Sequence, residues 1–383
     1  MKILLVGEYS RLHNSLKEGL LKLGHEVAIV GCGDNFKNYP VDFSIAAKTV
    51  SGSLILKFFN KFFRNVLRID LEKLERAARF RSILPLLKNY DVVQLINSDA
   101  LQTYPLIQIK LYKKLFAQNR ASFLLICGED TPIVDILLKN NLKSSVLTPL
   151  FADASLKPLY QYTLKYSTPN YRKLYNFVAA NCKAIITSDL DYKLPMEQTQ
   201  TKCYFVQNPI NTDIISFIDN PIADKIVIFH GINHLSAVKK GNKYFEGALT
   251  IIKNKYKDQV EIIVAQSLPY SEYINLYNKA HILLDQVYGY DQGYNALEAM
   301  AKGKVVFTGA ETEFEEYYNL KEKVAFNATP NVETLVNQLE YLIDNPTEII
   351  NIGKNARLFI EKEHHYIKIA QQYIDIWQNK KAT

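Results

Sequence analysis

The sequence predicts an α/β protein built from two doubly wound parallel sheets that face each other across a cleft. Three observations carry the prediction. The chain has 383 residues, longer than one hydrophobic core usually organises. Its first half alternates short apolar runs with stretches of helical periodicity, a pattern that builds a parallel sheet with helices on both faces. Near residue 204 the same alternation begins again.

The elements follow in order. "KILLVG" at residues 2–7 reads as the first strand. In "SLKEGLLKLG" the leucines recur at helical spacing and stop at Gly24, a natural residue just past a helix end. "HEVAIVG", "DVVQLIN", "SFLLICG" and "KAIITS" are further strands, each after a helical stretch. "TKCYFVQNPINTDIISF" is a strand that runs into a proline-containing link. The second series is "KIVIFHG", "VEIIVAQ", "AHILLDQ" and "KVVFTG". The chain closes on "EHHYIKIAQQYIDIWQNKK", an amphipathic helix with a basic end, whose His364 and His365 read as surface residues. The expected divisions are a first domain over residues 1–208, a second over 209–362, and a terminal helix over 363–383 that returns to the first domain.

Composition narrows the function classes. Hydrophobic residues are 48% and charged residues 22%, as in an ordinary globular protein. No apolar run is long enough to span a bilayer, and "MKILLVGEYS" reads as a strand rather than a signal peptide. The four cysteines, Cys32, Cys127, Cys182 and Cys203, are scattered without a C-x-x-C pair, so neither a zinc site nor a disulfide framework is expected. A reducing cytoplasm fits. The net charge of +7 is uneven: residues 1–208 hold 28 Lys and Arg against 17 Asp and Glu, and the remainder holds 18 against 22. Either the two halves meet different partners, or the composition simply drifts. No nucleic-acid-binding module accompanies the basic half, and no nucleic-acid partner is expected.

One insertion stands apart. In "LILKFFNKFFRNVLRID", Lys57, Lys61, Arg64 and Arg68 share one helical face, while Ile55, Phe58, Phe59, Phe62, Phe63, Val66 and Leu67 fill the rest. Two readings stand: a helix packed on its own sheet with a solvated basic face, or a helix lying in the interface of an anionic membrane through residues 55–68.

Chemistry is expected beyond the carboxyl ends of the strands, where open α/β sheets bind their ligands. In "DQVYGYDQGYNALEAMAKGKVVF" a strand end gives way to a loop and a helix. The free backbone N–H groups near Gly293, Tyr294 and Asn295 suit an anion, and Gly293 admits a phosphate close to the backbone. Glu298, about one turn in, either supports the helix dipole or receives vicinal hydroxyls such as those of a ribose. In "IVIFHGINHLSAVKKGNKYFEGAL", Lys239 and Lys240 precede Gly241 at a helix start. They are either solvated lysines or point charges for a diphosphate.

Taken together, strand–His230-Gly231–loop–"KKG"–helix followed by "GYNALEAMAKGKVVFTG" resembles the C-terminal half of GT-B glycosyltransferases of group 1, family 4. "VQNPINTDI" resembles that family's inter-domain segment. The resemblance implies two Rossmann-like domains, a terminal helix that crosses back, and retaining sugar transfer without a metal or other cofactor. Residue by residue, it implies that Lys240 binds the donor diphosphate and Glu298 the ribose, with His230, Gly231, Lys239 and Gly293–Asn295 around the donor. The first Glu of the family's Glu-x7-Glu motif falls on Tyr290, with Asp291 beside it as a substitute, and His234 is the nearest match to the family's Arg. In the first domain, Ser10, His13 and Asn14 of "GEYSRLHNSLKEGL" are expected to meet the acceptor or the donor phosphates, or Asn14 to cap its helix. Glu129 of "ICGEDTP" is expected to bind acceptor hydroxyls. Asp130 is either a catalytic carboxylate or a helix cap.

The reading that results is transfer of a sugar from a nucleotide-sugar to a carbohydrate or lipid-linked acceptor, on the inner face of a membrane, in surface polysaccharide or glycolipid synthesis. Two alternatives stay open: a degenerate relative that binds nucleotide without turnover, as Tyr290 suggests, and a sugar-nucleotide epimerase of the same architecture.

Overall fold

Apolar runs too short for a helix become the strands. In the computed structural model, which describes residues 1–34, 37–219, 221–266 and 270–379, the first sheet holds Lys2–Val6 (β1), Glu26–Gly31 (β2), Phe43–Ser44 (β3), Val92–Leu95 (β4), Ser122–Ile126 (β5), Ile185–Thr187 (β6) and Tyr204–Phe205 (β7). They pair in parallel in the order β3-β2-β1-β4-β5-β6-β7. Every residue of β4 and β5 is buried. Helices cover both faces, which is why these strands read as nearly continuous apolar runs, broken by Gln94 and Ser122.

The second sheet holds Ile226–Ile232 (β8), Val260–Gln266 (β9), Ile282–Leu284 (β10), Val305–Thr308 (β11) and Phe326–Asn327 (β12). Its order is β12-β11-β10-β8-β9, again all parallel. Strand order reverses between β1 and β4 in the first sheet and between β8 and β10 in the second. Ligands of doubly wound sheets bind beyond strand ends at such points.

The helices that bear on the cleft and on the surfaces beside it are α1 (Leu12–Lys22), α2 (Leu54–Val66), α3 (Leu71–Ile83), α4 (Thr131–Leu137), α5 (Leu190–Glu197), α6 (Ala237–Lys240), α7 (Asn242–Lys255), α8 (Tyr294–Ala301), α9 (Pro346–Glu363) and α10 (Tyr366–Trp377). The insertion predicted as a helix is α2. It is not packed on the sheet: of its residues only Asn60 is buried, where Oδ1 accepts the backbone N–H of Leu71.

The chain crosses between domains twice, and the crossings are tied together. Ile210 N donates to His364 O at 2.8 Å, and Tyr366 N donates to Ile210 O at 3.2 Å. The expectation that both terminal histidines lie on the surface is wrong for His364. It is buried, with Nδ1 bonded to Asn208 O at 2.9 Å, because the crossing backbone needs that partner. Beyond it, α10 lies on α1 so closely that a Cβ on Gly19 would stand 2.4 Å from Tyr366 O. Trp377 Nε1 donates to Gln94 Oε1 of β4 at 3.1 Å. Ile369, Tyr373, Ile374 and Trp377 are buried there, each contributing roughly 1.5–3 kcal/mol of apolar transfer. Residues 380–383 of the predicted terminal segment lie outside the described residues.

Candidate functional site

The loops after β8 and β10 meet at the second sheet's reversal point. The loop after β8 ends in α6, which carries Lys239 and Lys240 and stops at Gly241. Gly241 has φ 70°, and a Cβ there would stand 2.3 Å from Val287 Cγ2, so the turn requires glycine. Val287 N donates to Lys240 O at 3.0 Å, which joins the two loops. Lys240 Nζ donates to Asp285 Oδ1 at 2.7 Å. The same oxygen accepts Asn295 Nδ2 at 3.0 Å. Asp285, a buried carboxylate at the end of β10, thus fixes a cation and the first turn of α8 relative to each other. Sequence reasoning missed it; an Asp directly after the apolar run "HILL" was the available signal.

No side chain caps α8, and its first residues carry the free N–H groups of a helix start. The space where a Cβ on Gly293 would stand is open to 4 Å. Asn295 is held by Asp285 and by Tyr277, whose hydroxyl donates to Asn295 O at 2.9 Å. The hydroxyl of Tyr294 points away from this opening and donates to Pro209 O at 2.7 Å. Glu298, half-buried, lies farther along the helix, and its carboxylate makes no hydrogen bond among the described residues. Burial raises its pKa, while the charges of Arg11, Lys302 and Lys37 oppose the rise. Arg11 and Lys37 belong to the first domain, so charges from the other side of the cleft act on Glu298.

The cleft is bridged. Lys239 Nζ donates to Glu129 Oε1 at 2.8 Å and to Thr163 Oγ1 at 2.5 Å. Glu129 and Thr163 belong to the first domain, as does Lys143, which forms an ion pair with Glu311 of the second. Beside this bridge, Lys165 Nζ donates to buried Asp99 at 2.9 Å and lies 3.7 Å from the ring centre of Tyr162. Tyr9 donates to Asp99 O at 3.4 Å. Asp99 lies just beyond β4, at the first sheet's reversal point, and neither it nor Lys165 was singled out from sequence.

Several predicted residues serve the fold instead. Asp130 is fully buried; its carboxylate accepts Ser98 Oγ at 2.6 Å, Ser98 N at 2.9 Å and Thr131 N at 2.7 Å, capping α4. With those bonds made it takes the capping role of its two readings. Asp291 accepts Gln292 N at 2.7 Å and Leu190 N at 3.2 Å, so it supports the start of α5 across the domain interface. Tyr290 is buried; its hydroxyl accepts Lys143 N at 2.9 Å and its N–H donates to Asp191 at 2.9 Å. This pair therefore bridges the two domains. His230 is buried against Phe245, with ring centres 5.5 Å apart. Burial pushes its pKa down to about 4, with the charges of Lys240 and Asp285 also acting on it, so it is a neutral buried residue behind the Lys240–Asp285 pair.

In the first loop, His13 is likewise a core residue, bonded through Nδ1 to Gly7 O at 2.7 Å, with its pKa pushed down to about 4 by burial. Asn14 does not cap its helix. Its N and Nδ2 both donate to Glu8 Oε2, at 2.9 and 2.5 Å. Glu8 is buried, and burial raises its pKa to about 8. Ser10 and Arg11 both adopt left-handed backbone, with φ 51° and 74°. Neither residue is a glycine, so strain is stored where the loop turns toward the cleft. Ser10 is held there by Asp34 and Lys37.

Residues 233–375 match the family described as glycosyl transferase-like. None of the curated proteins matches the sequence. Anabaena Alr3699/HepE in complex with UDP-glucose is similar in structure over 99% of this chain and 100% of its own, with 12% identity and a TM-score of 0.60. Sucrose-phosphate synthase from Thermosynechococcus elongatus is similar over 99% of both chains, with 12% identity and a TM-score of 0.55. UDP-GlcNAc 2-epimerase from Neisseria meningitidis bound to UDP-GlcNAc is similar over 99% of this chain and 100% of its own, with 12% identity and a TM-score of 0.53. With two parallel sheets, a cleft between them and a terminal helix that crosses back, the chain has the GT-B fold, and its residues 233–375 are similar to the glycosyl transferase-like family.

Proposed function

We propose that the protein transfers a sugar from a UDP-sugar to an acceptor hydroxyl, with retention at the anomeric carbon and without a metal. The observation that supports this best is the cluster of Lys240, the uncapped start of α8 and the unpaired Glu298 at the second sheet's reversal point. An ammonium and a helix N-terminus together suit a diphosphate, and a free carboxylate about one turn away suits ribose hydroxyls. UDP is favoured as the nucleotide because the Anabaena and Neisseria neighbours were solved with UDP-sugars.

In this reading Lys240, held by Asp285, and the N–H groups near Gly293–Asn295 stabilise the negative charge that grows on the departing diphosphate. The acceptor hydroxyl approaches on the face the diphosphate leaves. The bond from C1 to the diphosphate oxygen breaks, the bond from C1 to the acceptor oxygen forms, and the acceptor's proton passes to the leaving diphosphate. Glu129 with Lys239, and Tyr9 with the Asp99–Lys165 pair, line the acceptor side. A carbohydrate or lipid-linked acceptor of surface polysaccharide or glycolipid synthesis fits their mix of carboxylates, ammonium groups and aromatic rings.

Thermal shift tests the donor half. UDP and its sugars raise Tm by mass action, GDP and ADP less so, and Glu298→Ala removes most of the UDP effect. If no nucleotide stabilises the folded protein, the reading fails. A second reading rests on Tyr290, whose hydroxyl is committed to Lys143 N where relatives use a Glu on the donor sugar: nucleotide binding without turnover. UDP stabilisation with no release of UDP from any UDP-sugar, whatever acceptor is supplied, would favour it.

A further inference from the structure

We infer that α2 seats the first domain on an anionic membrane, lying in the plane of the headgroups with one face among the acyl chains. The helix has 13 residues, or about 20 Å, too short to cross a hydrocarbon core of about 30 Å. Its sides do three different things. At about 100° per residue, Leu56, Asn60 and Phe63 fall on the side turned to the protein, and these are the helix's only residues not classed as exposed. Lys57, Lys61 and Arg64 follow around the axis on an exposed basic strip, whereas Arg68, expected on the same face, lies past the helix end in left-handed backbone (φ 57°), also exposed.

The remaining arc, about 140° wide by the same geometry, carries Leu54, Ile55, Phe58, Phe59, Phe62 and Val66, with Asn65 the one polar side chain among them. The exposures of the six apolar residues are 84, 69, 70, 47, 52 and 60%. Six large apolar side chains in water on one short helix are costly to leave uncovered, roughly 25 cal/mol per Å². The bland alternative puts the apolar face inward and the basic face outward; here the basic strip is outward, but the apolar arc is exposed as well.

Charge selects the cover. From Phe43 to Ile69 the chain has five Lys and Arg and no Asp or Glu. An apolar arc bordered on one side by a basic strip matches acyl chains beneath anionic headgroups. A second copy of the same face would set like charges against each other. The bilayer is therefore the occupant, and this inference does not depend on the donor reading.

The test is co-sedimentation of the full chain with vesicles of phosphatidylcholine alone or mixed with phosphatidylglycerol. The wild type is expected to pellet with the anionic vesicles and to stay in solution with the neutral ones. Phe58→Ser with Phe62→Ser lowers the partition at least about tenfold, and so does Lys57→Glu with Arg64→Glu. All four side chains are exposed or on the basic strip, so an unchanged Tm and an unchanged UDP shift serve as controls. Wild-type protein that stays in solution with both vesicle types overturns the inference. So does binding that survives both double variants, or a dimer in light scattering that the Phe variants dissolve.

Discussion

Lys239 of the second domain donates to Glu129 of the first at 2.8 Å, and Thr163 completes the triangle by donating to Glu129 at 2.7 Å. The side chains of Lys239 and Glu129 are 17% and 20% exposed, so the pair is partly shielded from solvent. Such a pair exceeds the fraction of a kcal/mol typical of exposed bridges. A double-mutant cycle of Lys239→Ala and Glu129→Ala, read by urea unfolding, is expected to give a coupling of about 1 kcal/mol. Additive single effects would show that the bridge does not hold the domains together.

Asp285 makes Lys240 more than a mobile surface charge. Lys240→Ala removes the cation and leaves Asp285 buried with only the neutral donors Asn295 and Thr308. The expected loss in kcat/KM is about 10²–10³, typical of deleting one group that stabilises a leaving charge. Lys240→Arg keeps the charge, yet the larger guanidinium cannot keep both Asp285 and the space above α8, so only part of the rate returns. Steady-state kinetics on both variants checks this; equal rates for wild type and Lys240→Ala would remove Lys240 from the reaction.

The sheets were legible because parallel strands buried on both faces are largely apolar, as β4 and β5 are apart from Gln94 and Ser122. The donor side was legible in part, because backbone chemistry at a strand–loop–helix junction leaves a local trace in "KKG" and "GYNALE". What the sequence could not display was pairing between residues far apart in the chain. Asp291 and Leu190 meet across the domain interface, as do Tyr290 and Lys143, so residues that look poised for a sugar are committed to holding the domains. Asp285, Asp99 and Lys165 escaped notice for the same reason: each gains its meaning from a partner in another element. His13, His230 and His364 misled because a polar residue at a helix start, inside an apolar strand or near a chain crossing carries no local sign of whether it faces the core or the cleft.

Glu298 has a raised pKa, burial being the main cause and Arg11 the first opposing charge. Ribose hydroxyls donate to a carboxylate, so protonation removes the acceptor. UDP affinity is therefore expected to fall as pH drops, beginning at a higher pH than an ordinary carboxylate near 4.3 would give. Arg11→Ala withdraws a favourable charge and moves the fall to higher pH. In the unliganded protein the sign reverses in meaning. A carboxyl whose pKa rises on folding stabilises the fold below its unfolded pKa and loses that contribution as pH rises through the folded value. Glu298→Gln should thus raise the Tm of the free protein near neutral pH while weakening UDP. Calorimetric titration and thermal unfolding across pH check the two halves; a flat UDP affinity would place Glu298 away from the ribose.

Glu8 offers the sharpest stability test. It is buried at the end of β1, its Oε2 accepts both Asn14 donors, and its Oε1 has no partner among the described residues. Burial raises its pKa from 4.5 to about 8, so folding takes up a proton there. Its contribution is full below about pH 4.5, declines as pH rises, and is gone once pH passes about 8. Asp191, raised to about 7, and Asp130 and Asp291, each raised to about 6, act in the same direction. His13, His230 and His364, each lowered to about 4 by burial, act in the opposite direction, but only up to the ordinary histidine value near 6.5. Above that, the fall in stability that Glu8, Asp191 and the raised Asp189 give between about pH 6.5 and 8 is countered in part by Lys304, which burial lowers to about 7 and which adds stability as pH rises, so the Glu8 share is the difference between wild type and Glu8→Gln. Glu8→Gln keeps the shape of the protonated acid and cannot ionise, so it should flatten that fall and gain up to a few kcal/mol near pH 8. Urea unfolding of wild type and Glu8→Gln at both ends of the window decides it; parallel curves would mean that Glu8 does not take up the proton.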